Sequence, residues 1–451
     1  MNVQDQYTVT VTGLTAEGAG VARIDGQAVF VPGTIPGEIC RIRIVNIGKA
    51  CAHGVLIQVE QPSPHRIEPD CPFFGRCGGC DYRFMDYEME LSCKRQRIID
   101  ALTRIGGVEI SDLPIHGAAE TDGYRNKVQF PVQTQNGKTA AGFYQAGTHR
   151  VIPVKSCKLQ PPCAEAVRAA VLRWMEKNRV SAYDETAHRG CVRHIYLRRG
   201  AVSGQLMVCL CANCDSLPKK KQLVAVLTGA VPEVTTIVIS YNQKRGNTVL
   251  GDRFETLYGE GTIEDTLCGL RFRLSPAAFY QVNHDQAERL YEKAAEFAAL
   301  TKNDTVLDLY CGTGTITLRL AKQAGKAVGV ELVPQAIMDA KRNAERNGIG
   351  HAEFYCMDAG EAAAAFAEKG EKPDVIVVDP PRKGISREVI SAMLRMSPAR
   401  LVYVSCDPAT LARDVKLLTE GGYRLQSAEA FDLFPRCAHV ETVVLMSRIK
   451  E

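Results

Sequence analysis

The sequence predicts an α/β protein in three parts: a small β-barrel over residues 1–60, a central α+β region over 61–270, and a doubly wound parallel sheet over 271–451. Three observations predict this. The chain of 451 residues is too long for one ordinary domain. Its first segments alternate apolar and polar residues with a period of two between glycine-rich turns. From Leu274 onward, apolar strand-like runs alternate with helical patterns, which is the order that winds helices over both faces of a parallel sheet.

The barrel rests on "YTVTVTGL", "QAVFVPG", "EICRIRIVNI" and "GVLIQV", separated by turns such as "AEGAG". About five short strands in so brief a stretch suit a barrel of the OB kind. The proline-rich "EQPSPHRIEPD" then acts as a linker. A helical pattern in "CKRQRIIDALTRIGG" stops at its glycine pair, and the runs "KVQFPVQ", "VRHIYLRRG", "GQLMVCLCA" and "TTIVISYN" follow as strands.

Composition excludes several classes. With 45% hydrophobic and 24% charged residues the chain is ordered and globular. It has neither a secretory n-region and h-region nor a run of 18 apolar residues, so the expectation is a cytoplasmic protein without a membrane association. Its 17 cysteines are therefore read as reduced, and a tight cluster of them as a metal or catalytic site. A net charge of +4 is too small to argue for nucleic acid by itself.

In the C-terminal part, "VLDLYCGTGTITLRLA" sets Gly312 and Gly314 between a strand and a helix, where missing side chains let a ligand approach the backbone. The dinucleotide fingerprint is incomplete, because Thr317 stands where its third glycine belongs, and this disfavours a dehydrogenase. Glu331 ends the next strand, where a carboxylate can accept from ribose hydroxyls. Asp358 closes a third, either to meet an adenine edge or merely to cap a helix, and Asp379 closes a fourth in "VIVVDPPRKG". Acid-tipped strands in this order resemble the Rossmann-like class I methyltransferases that use S-adenosylmethionine.

Two cysteine features stand apart. "CPFFGRCGGC" spaces Cys71, Cys77 and Cys80 as ligands, with Cys93 or Cys157 as the fourth and with zinc or an iron–sulfur cluster as the occupant. "CLCANC", with Cys209, Cys211 and Cys214, reads instead as strand packing and a turn. In "VYVSCDPATLARD", Cys406 ends a buried strand and is either inert filler or a nucleophile facing a substrate. Arg189, Arg193, Arg198 and Arg199, with Arg150, Lys155 and Lys158 beside aromatics, form basic stretches able to serve phosphates and stacked bases, or merely to solvate a strand face.

Together, "FYQVN", "LDLYCGTGT", "DPPRKG", "VSCDPATLARD" and "HVETVVLM" occur in the order that is similar to the bacterial RNA (uracil-5-)-methyltransferases. The N-terminal barrel resembles that family's TRAM domain, and the cysteine spacing resembles its iron–sulfur branch, typified by the 23S ribosomal RNA enzymes. The resemblance implies a 4Fe–4S cluster on Cys71, Cys77, Cys80 and Cys157. It implies S-adenosylmethionine contacts at Gln281, Tyr310, Glu331 and Asp379, beside Gly312, Gly314 and Asp358. It makes Cys406 the nucleophile and Glu441 the proton-abstracting base. The implied substrate is RNA, with 23S ribosomal RNA first and the T-loop of transfer RNA as the alternative, acted on by a monomer without an obligate protein partner.

The chemistry accounts for these residue types. Carbon-5 of uracil is too weakly nucleophilic to take a methyl group from a sulfonium unless a thiolate first adds to carbon-6. A carboxylate then removes the carbon-5 proton so that the thiolate can leave. The helix expected at Pro408 would lower the pKa of the Cys406 thiol through its N-terminus. "DPPR" also resembles the Asp-Pro-Pro-Tyr motif of adenine methyltransferases, but amino methylation needs no thiol and Arg382 replaces the tyrosine. An iron–sulfur RNA-binding protein without catalysis would need only the barrel and the cysteines.

Overall fold

Period-two alternation leaves one apolar face on each N-terminal strand, and that face must be buried. In the computed structural model, which describes residues 1–449, β1 (Gln6–Thr10), β2 (Gly13–Leu14), β3 (Gly20–Ile24), β4 (Gln27–Val31), β5 (Ile39–Ile47) and β6 (Cys51–Gln61) bury it around Val11, Val29, Val31, Ile42 and Ile44. Their order is β1-β5-β6-β4-β3-β2, one strand more than the expected five because Gly13 and Leu14 pair with β3. The linker is tied back by Arg66, whose Nε and Nη2 donate to buried Glu38 at 2.6 and 2.7 Å.

Helix α1 (Tyr87–Arg104) begins before the expected "CKRQR" because Asp86 caps it, its carboxylate accepting from Met89 N at 2.9 Å. The helix does not stay with the central region. Ile98 and Leu102 enter the C-terminal core, and β7 (Ile115–His116) joins the edge of the C-terminal sheet, parallel to its neighbouring strand there. Lys94, wholly buried on α1, donates to Glu90 and Asp432 at 2.7 Å each and to the Phe434 carbonyl at 3.2 Å, pinning α1 to the loop that precedes the last strand. Lys94→Met keeps the apolar stem but removes the cation that two buried acids share, leaving Glu90 with the Arg436 guanidinium at 3.6 Å and Asp432 with the Tyr87 hydroxyl at 2.9 Å, so it should cost about 3–5 kcal/mol in chemical denaturation. A loss below about 1 kcal/mol, the scale of an exposed pair, would contradict the role assigned to this triad.

The central sheet follows from β8 (Lys127–Gln135), β9 (Lys138–Ala141), a separate pair β10 (Phe143–Tyr144) and β11 (Val151–Ile152), then α2 (Cys163–Asn178), β12 (Val192–Arg199), β13 (Leu206–Ala212), α3 (Lys220–Ala230), β14 (Val234–Tyr241) and β15 (Arg253–Tyr258). Its order is β15-β14-β13-β12-β8-β9, and β13 is buried at every position, as its unbroken apolar run requires. One face packs on α2 and α3 through Val167, Trp174, Leu223 and Leu227. From the other face, Tyr196, Met207, Cys209 and Val238 share a core with the C-terminal residues Tyr280, Leu290 and Ile316.

After the hairpin β16 (Ile263–Leu267) and β17 (Leu270–Leu274), the chain alternates: α4 (His284–Ala298), β18 (Thr305–Asp308), α5 (Thr315–Ala321), β19 (Lys326–Glu331), α6 (Pro334–Arg346), β20 (Ala352–Cys356), α7 (Ala359–Glu368), β21 (Val375–Val378), α8 (Arg387–Met396), β22 (Arg400–Ser405) and α9 (Pro408–Glu420). The antiparallel strands β23 (Tyr423–Phe431) and β24 (Glu441–Arg448) complete a sheet of order β20-β19-β18-β21-β22-β24-β23-β7. The strand order reverses between β18 and β21, and at such a switch point the carboxyl ends leave a crevice for a ligand. Among the described residues no helix is long and apolar enough to cross a membrane.

Candidate active site and cysteine cavity

The turn after β18 needs its glycines for different reasons. Gly314, at φ 83°, sits so close to α6 and β20 that a Cβ would lie 3.2 Å from Ala340 Cβ and 3.3 Å from the Phe354 ring. Gly312, at φ 53°, faces open space, and a side chain there would intrude where a ligand could lie against the backbone. Glu331 pins this turn, accepting from Gly312 N at 3.2 Å through one oxygen and from Val333 N at 2.9 Å through the other. Buried Asp308 accepts from the Thr317 hydroxyl at 2.6 Å and from Tyr310 N at 3.4 Å, so Thr317 holds α5 against β18. Burial pushes Asp308 up to about 6 despite these hydrogen bonds.

Gln281 is buried just before α4, and its carbonyl accepts from Asn126 Nδ2 at 2.8 Å. Burial and then the Asp379 charge raise the pKa of the Tyr291 hydroxyl, which also meets Gln281, so Tyr291 joins these two candidates. Tyr291 carries no motif and lies in an ordinary amphipathic helix, which is why sequence reasoning passes over it. Asp358 is the N-cap of α7: its Oδ1 accepts from Gly360 N at 2.8 Å and Glu361 N at 3.3 Å. The capping alternative thus accounts for one of its oxygens.

Strand register brings Cys406 and Glu441 together. β22 and β24 run antiparallel with Ser405 opposite Thr442, and continuing the register by one residue sets Cys406 opposite Glu441. Asp379 follows β21, the other neighbour of β22. Burial, then the charges of Glu441 and Asp379, push the Cys406 thiol up to about 12, while Arg382 works in the opposite direction. Glu441, only 3% exposed, is pushed up to about 8 by burial and then by Asp379. Burial and Asp308 push Asp379 up to about 7.

The expectation that the α9 terminus acidifies Cys406 is therefore corrected. Pro408 does begin that helix, but Asp407 caps it, accepting from Ala409 N and Thr410 N at 2.9 Å each. A carboxylate already occupies the positive end of the helix dipole, and two more acids face the thiol. Burial and the neighbouring acids therefore favour the protonated thiol at Cys406.

Cys71, Cys77, Cys80 and Cys157 line one cavity of about 250 Å³. Cys93 is buried on α1 and does not line it. Gly78 approaches the backbone of Ala146 so closely that a Cβ would lie 3.0 Å from its Cα, so the cysteine loop must be glycine there. Cys437 lines the same cavity, which the spacing of the other cysteines gave no reason to suspect. All seventeen cysteines are free. Among the described residues no three His, Cys, Asp or Glu side chains converge to hold a single metal ion. Cys71, Cys77, Cys80 and Cys157 nonetheless share one cavity as thiol donors, the donor type that either a cluster or zinc would take.

The basic stretches divide. Buried Arg193 donates to the carbonyls of Asn242, Lys244 and Gly246, and buried Arg198 to those of Ser275 and Ala278, so both are internal ties and leave the candidate RNA surface. Lys158 pairs with Asp70. Arg150 and Arg189 remain exposed along an open polar groove of about 900 Å³, with Gln133, Asn136 and His149. The second cysteine set behaves as expected for Cys209 and Cys211, buried in β13, whereas Cys214 meets Cys191 with 2.9 Å between sulfurs.

The chain is similar to known proteins over nearly its whole length. Residues 262–449 match the family described as tRNA (Uracil-5-)-methyltransferase, and residues 2–57 match the TRAM domain. An uncharacterized RNA methyltransferase of Halalkalibacterium halodurans is 42% identical over 447 residues, covering 99% of this chain and 98% of the relative. Another, from Bacillus cereus, is 42% identical over 441 residues, covering 97% and 95%. The solved tRNA (uracil-54, C5)-methyltransferase of Pyrococcus abyssi, in complex with S-adenosyl-L-homocysteine, is similar with a TM-score of 0.78 and 26% identity over 98% of this chain and 100% of that one.

Proposed function

We propose, for a chain that belongs to the tRNA (uracil-5-)-methyltransferase family and is an S-adenosylmethionine-dependent RNA methyltransferase, that it methylates carbon-5 of a uridine in 23S ribosomal RNA through a covalent Cys406 adduct. The observation that carries this reading is the register of β22 and β24, which sets a thiol and a carboxyl side by side at the crevice. Cys406 attacks carbon-6 of the ring, and Glu441 takes the proton from carbon-5 so that the thiolate can leave. S-adenosylmethionine supplies the methyl group on a positively charged sulfonium. Gly312 and Gly314 leave room for it, with Glu331 for the ribose and Gln281, Tyr310, Asp358 and Asp379 as further contacts. Because the reacting carbon lies within a base, the uridine must be splayed out of any stack to reach Cys406.

The choice of ribosomal RNA rests on the four thiols around one cavity, which we read as ligands of a 4Fe–4S cluster in the manner of the branch that the sequence resembles. A second reading, the T-loop of transfer RNA, is favoured by the transfer RNA enzyme of Pyrococcus abyssi. Mapping 5-methyluridine in 23S and transfer RNA from cells with and without the protein decides between them, and loss from neither RNA overturns both. Free cysteines suit a reducing cytoplasm, and we read the protein as a monomer without an obligate partner.

The cluster carries its own expectation. The cavity joins the cysteine loop to Cys157, far along the chain, so its occupant should act through folding of that junction. Protein purified without oxygen should be brown, and Cys77→Ser should lose the colour and its iron. A colourless, zinc-loaded wild-type protein would refute the assignment.

A further inference from the structure

The cysteine loop and the loop that leads into β24 are bound to each other along their length. Asp81 N and Tyr82 N both donate to the Arg436 carbonyl, at 2.8 and 3.1 Å, and Ala438 N donates to Asp81 Oδ2 at 2.8 Å. The Cys437 thiol donates to the Gly79 carbonyl at 3.2 Å. His439, two residues after Cys437, lines the cysteine cavity and stands edge-on to Phe434, with 5.8 Å between ring centroids. Its Nε2 lies 3.1 Å from Arg382 Nη2. A guanidinium can only donate, so this nitrogen must be the unprotonated acceptor. Burial, followed by Arg382, Arg97, Lys94 and Arg125, pushes His439 down to about 4, which keeps that acceptor available at neutral pH.

We propose that His439 is a positioning residue: by accepting from Arg382 it holds the guanidinium at the start of β24, where Glu441 follows in the chain, and through the loop around Asp81 it ties that position to occupancy of the cysteine cavity. The inference rests on the reading of Cys406 as nucleophile. His439 touches neither reacting atom. It places the cation that eases ionisation of the thiol, so a change at the cysteines is felt at Cys406 without a conformational rearrangement of the sheet.

The test is the rate at which iodoacetamide alkylates Cys406, read on its own peptide by mass spectrometry between about pH 7 and pH 10 in cluster-loaded protein without RNA. His439→Ala should slow alkylation about tenfold at a fixed pH below the thiol pKa, which corresponds to about one unit of upward shift. His439→Gln retains an amide oxygen as acceptor and should stay within about twofold of wild type. Removing the cluster with an oxidant and a chelator should slow the wild-type protein as His439→Ala does, and should add nothing in that variant. Equal rates in all three proteins, equal slowing by both substitutions, or a wild-type rate indifferent to cluster removal would each overturn the proposal. Failure of the nucleophile assignment is separate: the wild-type protein would then form no adduct with RNA containing 5-fluorouridine, whatever its alkylation profile.

Discussion

Cys406→Ala should lose methyl transfer by a factor on the order of 10⁵, the scale seen when a covalent nucleophile is removed. RNA carrying 5-fluorouridine at the target makes the step visible. Fluorine stands where the base must remove a proton, so methylation of the activated ring proceeds but elimination cannot. Wild-type protein should therefore accumulate a stable protein–RNA adduct that survives denaturation, and its methylated form should require S-adenosylmethionine. The adduct should vanish in Cys406→Ala, while RNA and cofactor affinities stay near wild type because the half-buried thiol contributes little to binding. Methylation without an adduct, or an active Cys406→Ala protein, would overturn the mechanism.

Glu441→Gln should permit attack and methyl transfer and then stall, because the carbon-5 proton has no acceptor. Turnover should fall about 10²- to 10⁴-fold, the range for removal of a general base, and methylated RNA should remain covalently bound to unsubstituted uridine substrate. Equal absence of adduct and product would assign the base elsewhere. The carboxyl must be ionised to act, and burial and Asp379 raise it to about 8, so wild-type turnover should climb with pH through that value.

Stability should run the other way. Glu441 is protonated in the folded protein up to about 8 but ionises near about 4.3 when unfolded, so the folded state binds the extra proton between those values. Its contribution is fully present below the unfolded pKa and is lost as pH rises through the folded one. At pH 8 the Glu441→Gln protein, which has no charge to bury, should melt higher than wild type. A lower melting temperature would show that the carboxyl is not strained by its burial.

Period-two segments, glycine turns and alternating helices and strands made the barrel and the C-terminal sheet legible from sequence, because each depends on local geometry and on which face must be dry. The positions of the glycine turn, Glu331 and Asp379 were legible for the same reason: they fall at strand ends, beside the crevice that a parallel sheet leaves there. Asp358 shows the limit, since a carboxylate after a strand looks the same whether it meets a ligand or caps a helix.

What the sequence determined by itself is therefore the local chemistry: a thiol at a strand end, acids on neighbouring strands, cysteines spaced for a shared site and a family resemblance that joins them. What only the tertiary structure decided is which of these groups share a volume, and at what cost. Arg193 and Arg198 look like RNA contacts in the chain but are spent on buried carbonyls. Cys437 and His439 reach the cysteine cavity from residues more than three hundred positions away from Cys80, and Arg382 reaches His439 from another strand end. The Cys406 thiol is raised because folding buries it and then sets Glu441 and Asp379 against it, outweighing Arg382. Burial and through-space charge depend on distance in the folded chain, and that distance is not written in the spacing of residues along it.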